Sequence, residues 1–313
     1  MISLRYHVIS IAAVFLALAV GVVLGSTALS RSLLSGLAGD NEDLAAQVTD
    51  LQNDKNAQAA RLVGADSFAT SVGPLAVQGV LAQRTVVLIT TSDARPADRD
   101  AVRALIANAG GTVTGELQLT SAFNDPRKAD RLKDIVVRLL PAGVQLPAAS
   151  DPGTLAGGLI GPLVLIGKED NKPQASSAET TAALAGLTEG GFIKAGQGLQ
   201  PAQLAVVLTG GAADGDGAGD RAATIARFAT QVDRAGAGTV LAGDAGTASG
   251  TGAVGVVRAD TAATSILSTV DNVQTAAGRV VTVLALHEQL EGGAGRYGDA
   301  GNAQGPAPGA PQQ

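Results

Sequence analysis

The stretch TVVLITT, residues 85–91, is an uncharged apolar run rich in β-branched side chains. Such a run is typical of a parallel strand that is buried on both faces of a sheet. Pro96 follows at the first turn of a predicted helix that continues to Ala109 and ends at Gly110-Gly111. A buried strand followed by a helix of this length predicts the first unit of an α/β sheet.

The same alternation of strands and helices continues towards the C-terminus. Further strands are predicted at residues 113–119, 162–167, 204–209, 239–242 and 254–257. Helices are predicted at residues 125–140, 177–187 and 220–235, with another after a cap at Asp260. Residues 279–290 are expected to begin as a strand and to finish as a helix closed by Gly292. The pattern predicts one doubly wound, mostly parallel α/β domain over residues 66–291.

The last part of the chain differs in composition. Residues 292–313 consist mainly of Gly, Ala, Pro, Asn and Gln, with few apolar side chains to bury. This composition predicts a disordered tail.

Towards the N-terminus, Val8–Gly25 is an 18-residue run without a charge. Its length is just under the roughly 20 residues of a helix that spans a bilayer. Arg5 precedes the run and the next basic residue is Arg31, so the positive-inside rule places the N-terminus in the cytoplasm. Residues 1–29 are therefore predicted to form a transmembrane signal anchor that contacts the membrane through residues 8–25. The α/β domain would then lie outside the cytoplasm.

A cleaved signal peptide is the alternative interpretation of this segment. Ala17-Leu18-Ala19 resembles a cleavage site but lies within the apolar run, and Ser26-Thr27-Ala28 follows it. Both interpretations export the bulk of the chain.

Residues 30–65 are predicted to form a coiled-coil helix that pairs two copies of the chain. An apolar seam repeats at spacings of three and four residues, and Asn at one a position is a device that sets register and dimerisation. The seam residues are Leu34, Leu37, Asn41, Leu44, Val48 and Leu51. The alternative is an amphipathic helix that packs on its own domain.

The composition excludes several classes of function. The 313 residues include no Cys, two His, one Met, no Trp and 2% aromatic residues. Disulfides, zinc sites with Cys ligands, thiolate copper sites and Cys nucleophiles are therefore excluded. With 22 basic against 28 acidic residues, the net charge of -6 argues against nucleic-acid binding. No metal-ligating residue and no cofactor are predicted.

Three motifs were tested for catalysis or ligand binding. Gly250-Thr-Gly252-Ala-Val-Gly255 matches the dinucleotide fingerprint, but residues 254–257 are predicted to form a strand where the fingerprint needs a helix. The acidic loop Asp214–Asp220 lacks the ligands of an EF-hand. His287 has no second His nearby, and the chain contains no G-x-S-x-G elbow. The chain is therefore predicted not to be an enzyme.

One segment of the α/β domain is a candidate binding surface. Thr269 and Asp271, within residues 268–272, have side chains that can cap a helix N-terminus. They are predicted to form a helix cap or, alternatively, a surface for a partner protein.

Several blocks resemble the actinobacterial MctB family, named for a mycobacterial copper transport protein. They are MISLRYHVISIAAVFLALAVGVVLGS (1–26), FATSVGPLAVQGVLAQRTVVLITT (68–91), LTGG (208–211), TVLAGD (239–244) and STVDNVQTAAGRVVTVLALHEQLEGGAGRYG (268–298). The resemblance implies a role in copper homeostasis or efflux, with an outer-membrane location as one possibility. Corynebacterial relatives of the SteB type imply a membrane-anchored partner of SteA in the control of peptidoglycan hydrolysis and cell division.

The residue types help to decide between a direct copper role and a role as a membrane-anchored partner of SteA. A copper conduit is expected to offer Cys, Met or His ligands, which this chain almost lacks. An outer-membrane barrel is expected to show segments of about ten residues with alternating hydrophobicity. We therefore expect a non-enzymatic, dimeric envelope scaffold, anchored in the inner membrane, that binds a SteA-like protein. A copper efflux or pore component of the outer envelope is the alternative.

Overall fold

The computed structural model describes residues 4–310, and the side chains of residues 27–42 lie outside the described part. The chain begins with α1 (Leu4–Ala76) and divides into two compact units, residues 1–65 and 66–313. Within α1, Leu4–Ser26 has a mean hydropathy of 2.8 and is fully exposed. A helix of 23 residues is about 35 Å long, which is enough to cross the hydrocarbon core of a bilayer.

The second unit is built on a seven-stranded sheet in the order β3-β2-β1-β4-β5-β6-β7. All neighbouring strands are parallel except β2 and β3. The strands are β1 (Thr85–Thr90), β2 (Thr112–Leu119), β3 (Ile193–Ala195), β4 (Leu204–Thr209), β5 (Gly238–Gly243), β6 (Ser268–Val270) and β7 (Arg296–Tyr297). The α/β class that the sequence predicts is confirmed.

Helices cover both faces of this sheet. They are α2 (Pro96–Asn108), α3 (Ala129–Arg138), α4 (Pro152–Val164), α5 (Ser177–Glu189), α6 (Ala218–Asp233), α7 (Ala253–Arg258), α8 (Thr261–Thr264) and α9 (Ala276–Leu290). Side chains of β1 alternate between two apolar clusters: Val87 and Ile89 pack with α3 to α7, whereas Val86 and Leu88 pack with α2 and α9. Both faces of the central strands are therefore buried, as the uncharged runs predict.

The strand predicted at residues 162–167 is wrong. α4 extends to Val164, and beyond it Leu165 and Ile166 form only isolated bridges. Ten of the thirteen α4 residues are buried, so the helix is apolar all round and periodicity does not distinguish it from a buried strand. Asp151 caps the helix by accepting a hydrogen bond from the Thr154 N–H (2.8 Å).

Two further predictions of strand are also wrong. Residues 254–257 lie in α7, and residues 279–290 are helical throughout within α9. The N-terminus of α9 is capped by Thr275, whose Oγ1 accepts a hydrogen bond from the Gly278 N–H (3.0 Å), and by Asp66, whose Oδ1 accepts one from the Ala276 N–H (2.6 Å). These apolar segments lack the polar side that marks an amphipathic helix because they are largely buried.

The C-terminal segment is not the disordered tail that its composition predicts. Hydrogen bonds hold this segment against the rest of the unit. β7 pairs with β6, and the Gln304 N–H donates to the carbonyl of Arg296 (2.8 Å). Ala307 packs against the apolar cluster of α2 and α9. Amino-acid composition describes side chains only. It therefore does not reveal that a segment is ordered when backbone hydrogen bonds supply most of its contacts.

Asp233, at the end of α6, makes stability depend on pH. Burial raises its pKa from 3.8 to about 7, although Oδ1 accepts a hydrogen bond from the Thr239 N–H (2.7 Å). The unfolded chain therefore binds fewer protons than the folded one between these pKa values. The stability contributed by protonated Asp233 is complete below the unfolded pKa and is lost as pH rises through the folded pKa.

We expect Asp233→Asn to raise the free energy of unfolding, because Asn keeps the acceptor for Thr239 and removes the buried charge. The gain should be larger at about pH 8 than at about pH 6 by about 1 kcal/mol. Urea unfolding of the full-length chain in detergent measures it, with the exposed Asp54→Asn as control. Equal effects at both pH values would contradict the prediction.

Candidate functional site

Parallel strands β1, β4, β5 and β6 end at the same edge of the sheet, and acidic or amide side chains follow β1, β5 and β6. Asp93 comes after β1, Asp244 after β5, and Asp271-Asn272 after β6. Open parallel sheets bind ligands outside the carboxyl ends of their strands. This carboxyl edge is therefore the candidate functional site.

The direction of strand succession reverses between β1 and β4, where a ligand crevice usually opens. Here Asp93 packs so closely against Gly210 that a Cβ atom on Gly210 would lie 2.5 Å from Asp93 Oδ2. The Thr91 N–H also donates to the carbonyl of Leu208 (2.9 Å) and ties the two strand ends together. The position between β1 and β4, where a ligand crevice usually opens, is therefore occupied by residues of the chain itself.

A charge cluster joins α2, α9 and the end of β5 beside this point. Asp98 is 3% exposed, with its Oδ2 2.7 Å from Arg95 Nη2 and its Oδ1 3.0 Å from Arg279 Nη1. Arg95 Nε lies 3.1 Å from Asp244 Oδ2. Burial raises the pKa of Asp244, the Arg95 guanidinium opposes that rise, and the Asp98 carboxylate adds to it. Asp93 also raises the pKa of Asp244, so two guanidinium groups face three carboxyl groups here.

Farther along the edge, Arg258 of α7 forms an ion pair with Asp271. The two side chains are 1% and 3% exposed, and Arg258 Nη1 lies 2.6 Å from Asp271 Oδ2. The guanidinium also donates to Thr269 Oγ1 (3.1 Å), Asn302 Oδ1 (2.8 Å) and the carbonyl of Tyr297 (2.8 Å). Burial lowers the pKa of Arg258, and the Asp271 carboxylate opposes that shift. One guanidinium thus links α7, β6, β7 and the segment that follows β7.

Asp271 also positions the loop after β7. Its Oδ1 accepts hydrogen bonds from the backbone N–H groups of Asp299 (2.8 Å) and Ala300 (3.4 Å). The Asn302 side chain then donates to the carbonyl of Ala248 (3.0 Å), in the turn after β5. The buried carboxylate therefore holds two loops across from each other.

An open cleft of about 420 Å³ lies between these loops. Its lining residues are Ala245, Gly246, Ala248, Ser249, Asp271, Asn272, Gln274, Asp299, Ala300, Gly301 and Asn302. Asn272 is 7% exposed, and its buried Oδ1 has no hydrogen-bond partner in the described part of the chain. Among residues 4–26 and 43–310, no group of three or more His, Cys, Asp or Glu side chains could hold a metal ion.

The structure places Thr269 and Asp271 near the cleft but not in the roles predicted for them. Thr269 lies in β6 and Asp271 directly follows that strand, whereas Thr275 caps the next helix. The predicted helix cap at Thr269 and Asp271 is therefore wrong. Thr269 is 0% and Asp271 4% exposed, so they do not form a surface for a partner protein either.

The seam predicted for self-association remains a prediction. The side chains of Leu34, Leu37 and Asn41 lie outside the described residues. Leu44, Val48 and Leu51 are 57%, 60% and 68% exposed.

The glycine fingerprint at residues 250–255 has a packing role. The helix that the fingerprint needs does exist as α7, so the objection drawn from a predicted strand is wrong. However, Cβ atoms on Gly252 and Gly255 would lie 2.1 Å from the Thr247 carbonyl oxygen and 1.9 Å from that of Ser249. These glycines let the loop fold tightly against α7, which has only six residues.

Sequence reasoning missed Arg258, Gln274 and the loop at residues 299–302. Arg258 directly follows a segment predicted as a strand, and the loop belongs to the predicted disordered tail. A signal was available in the short polar residues after β6, because Asp and Asn at the carboxyl end of a parallel strand indicate a site.

The fold and the N-terminal helix define a class: an α/β protein anchored in a membrane by one apolar helix. A family model described as "Copper transport outer membrane protein, MctB" matches residues 1–308. The chain belongs to the MctB family.

Curated relatives agree with this assignment. The protein named "Copper transporter MctB" of Mycobacterium tuberculosis is 41% identical over 303 residues, covering 95% of this chain and 96% of that protein. The protein of the same name from Mycobacterium leprae is 41% identical over 306 residues, with the same coverage.

Proposed function

We propose that this chain serves copper homeostasis of the cell envelope as an anchored, dimeric scaffold that binds a protein partner. The observation that carries the proposal is the joining of one apolar helix to an α/β unit in a chain related to proteins named copper transporters. A partner of the SteA type, which the family resemblance implies, would link the scaffold to peptidoglycan hydrolysis and cell division.

An indirect role in copper transport follows from the chemistry of the side chains. Cu(I) prefers thiolate and thioether ligands, and imidazole suits Cu(II). The chain has no Cys, one Met at its N-terminus, and two His. His7 lies in the apolar helix, whereas His287 Nε2 lies 3.5 Å from Glu291 Oε1. The proposal therefore assigns copper movement to other components and gives this chain a binding role without catalysis.

The proposed location is the inner membrane, with the α/β unit outside the cytoplasm. Leu4–Ser26 suits a bilayer span, and Arg5 near its start favours a cytoplasmic N-terminus. The family description names the outer membrane. Separation of inner and outer membranes on a density gradient distinguishes the two locations.

The proposed dimer uses the seam of α1, in which Leu44, Val48 and Leu51 are exposed. An anchor confines two copies to one membrane plane, which raises their effective concentration for pairing. In a parallel coiled coil, Val48 at an a position would face its counterpart, whereas Asn53 at an f position would face solvent.

Cysteine cross-linking combined with copper measurement tests the proposal. Because the chain has no Cys, an introduced thiol is its only one. We expect Val48→Cys to form a disulfide-linked dimer on oxidation in membranes and Asn53→Cys not to do so. In the Val48→Cys chain, the added changes Leu44→Lys and Leu51→Lys should abolish the cross-link. The same two lysines should raise cellular copper to the level of a deletion strain.

The matched control places lysines on the opposite helix face, at Ala46 and Asn53, and should leave both readouts unchanged. Equal cross-linking at positions 48 and 53 would contradict the seam. Stoichiometric, tight copper binding by the purified full-length chain, measured by calorimetry, would contradict the scaffold role and favour direct transport.

A further inference from the structure

We propose that a cavity at the amino edge of the sheet binds a small zwitterion of the α-amino acid class. The ammonium group of this ligand lies against Asp233 and Gln289, and its carboxylate lies against Lys168 and Arg234. This site goes beyond the copper role and does not depend on it.

The cavity has a volume of about 200 Å³ and lies where strands begin and helices end. Gly236-Ala237 lead into β5, and Ile266 lies just before β6. On the helix side, Asp233 is the last residue of α6, and Gly292-Gly293 follow α9. The carboxyl ends of helices carry partial negative charge, which favours a cationic group. Pockets for drug-sized ligands occupy about 300–1,000 Å³, so this cavity suits a smaller molecule.

The first observation is a buried carboxylate with one oxygen unused. Asp233 lines the cavity and is 8% exposed, and its Oδ1 accepts a hydrogen bond from the Thr239 N–H (2.7 Å). Its Oδ2 has no hydrogen-bond partner in the described part of the chain, and it is not fully enclosed. Lys168 and Arg234 favour ionisation of this carboxyl group only from a distance. Since buried charges are normally paired, a cationic ligand group is a direct explanation for this oxygen.

The second observation is an amide oxygen beside this carboxylate. Gln289 lines the cavity and is 5% exposed, and its Nε2 donates to the carbonyl of Ile266 (2.8 Å) and to Ser268 Oγ (2.9 Å). Both amide hydrogens are therefore engaged, whereas Oε1 has no partner among the described residues and is not fully enclosed. A Cβ atom on Gly238 would lie 2.7 Å from this oxygen. The two unused acceptors thus belong to side chains that contact consecutive residues of β5, Gly238 and Thr239.

A third acceptor completes a set that matches an ammonium group. The Ser265 hydroxyl, which also lines the cavity, donates to the Ala262 carbonyl (2.8 Å) and keeps its lone pairs for accepting. An ammonium group has three N–H donors and no acceptor. These donors correspond in number to Asp233 Oδ2, Gln289 Oε1 and Ser265 Oγ.

The charges at the rim narrow the class of ligand. Lys168 and Arg234 line the cavity and are exposed, whereas Asp233 is buried within it. A simple cation is repelled by the two rim side chains, and a simple anion is repelled by the buried carboxylate. A molecule with an ammonium group at one end and a carboxylate at the other satisfies both. The small volume of the cavity favours an α-amino acid with a short side chain.

Nuclear magnetic resonance on the full-length chain in neutral detergent micelles tests the proposal. The titration is made at about pH 8, where the Asp233 carboxyl group, with a pKa of about 7, is mostly ionised. L-alanine is the probe, added to about 50 mM, and propionate and ethylamine each carry only one of its two charged groups. We expect saturable shifts in the backbone amide signals of Gly236, Gly292 and Gly293 with L-alanine. Binding of each comparison molecule should be weaker by about tenfold or more.

Three variants locate the two ends of the ligand. Asp233→Asn keeps an acceptor for the Thr239 N–H and removes the charge, so it should weaken L-alanine binding about tenfold to a hundredfold. The double change Lys168→Gln and Arg234→Gln should weaken it about threefold to tenfold, because exposed ion pairs contribute less. Lys172→Gln is the matched control, since Lys172 is exposed on the same loop as Lys168 and does not line the cavity.

The titration of the unaltered chain decides the proposal independently of the variants. Absence of saturable shifts with L-alanine would overturn it. Binding of ethylamine or propionate as tight as that of L-alanine would also overturn it, since a simple cation or anion would then be the ligand. Unchanged affinity of the Asp233→Asn chain for L-alanine would place the ligand elsewhere and overturn the assignment of the cavity.

Discussion

Asp271→Ala is expected to lower the free energy of unfolding by about 3–5 kcal/mol, because it leaves a buried guanidinium without its counter-charge. Arg258 is 1% exposed and lies 2.6 Å from the carboxylate that this change removes. The change also deprives the Asp299 and Ala300 N–H groups of their acceptor. Urea unfolding of the full-length chain in detergent, with a fixed denaturant slope, measures the loss.

A double-mutant cycle separates the charge from the packing. Arg258→Met alone should also be strongly destabilising, since it leaves the Asp271 carboxylate buried. Combining Arg258→Met with Asp271→Asn removes both charges and keeps an acceptor for Asp299, so the pair should cost less than the sum of Arg258→Met and Asp271→Asn, each measured alone. Additive costs would show that the two side chains do not stabilise each other.

The second large effect is expected from Gly157→Val in α4. Gly153, Gly157 and Gly161 recur every four residues and face α6, which packs closely against this helix. A Cβ atom on Gly157 would lie 2.8 Å from both the Phe228 carbonyl oxygen and Gln231 Cβ. Because backbone cannot yield as a flexible side chain can, we expect a loss of about 3 kcal/mol in the free energy of unfolding.

Gly219→Val is the matched control for this prediction. Gly219 lies in the first turn of α6, and no atom lies within 4 Å of a Cβ placed there. This change should alter the free energy of unfolding by no more than about 0.5 kcal/mol. Similar losses at Gly157 and Gly219 would mean that close packing of α4 on α6 does not limit stability.

The central strands were predictable because each is buried on both faces and is followed by a turn and a helix. Residues 85–91, 204–209 and 239–242 are confirmed for this reason. The errors at residues 162–167, 254–257 and 279–290 share one cause. Those segments are also apolar on all sides, and burial then removes the periodicity that separates helix from strand.

The candidate site was predictable only in part. Asp271 was singled out because short polar side chains commonly cap helices, which identified the residue but not its role. Its actual partner, Arg258, lies thirteen residues away on α7. The loop at residues 299–302 gave no signal, since its contacts are backbone hydrogen bonds and one Asn amide.

The sequence by itself determined the apolar anchor, the parallel core strands and the lack of soft copper ligands, because these depend on residue types and on spacing along the chain. Only the tertiary structure decided that Arg258 neutralises Asp271, that the last segment joins the sheet, and that a polar cleft lies between two loops. These features depend on pairings between distant residues. The sequence indicates that a buried charge needs a counter-charge, but it does not indicate which residue supplies that counter-charge.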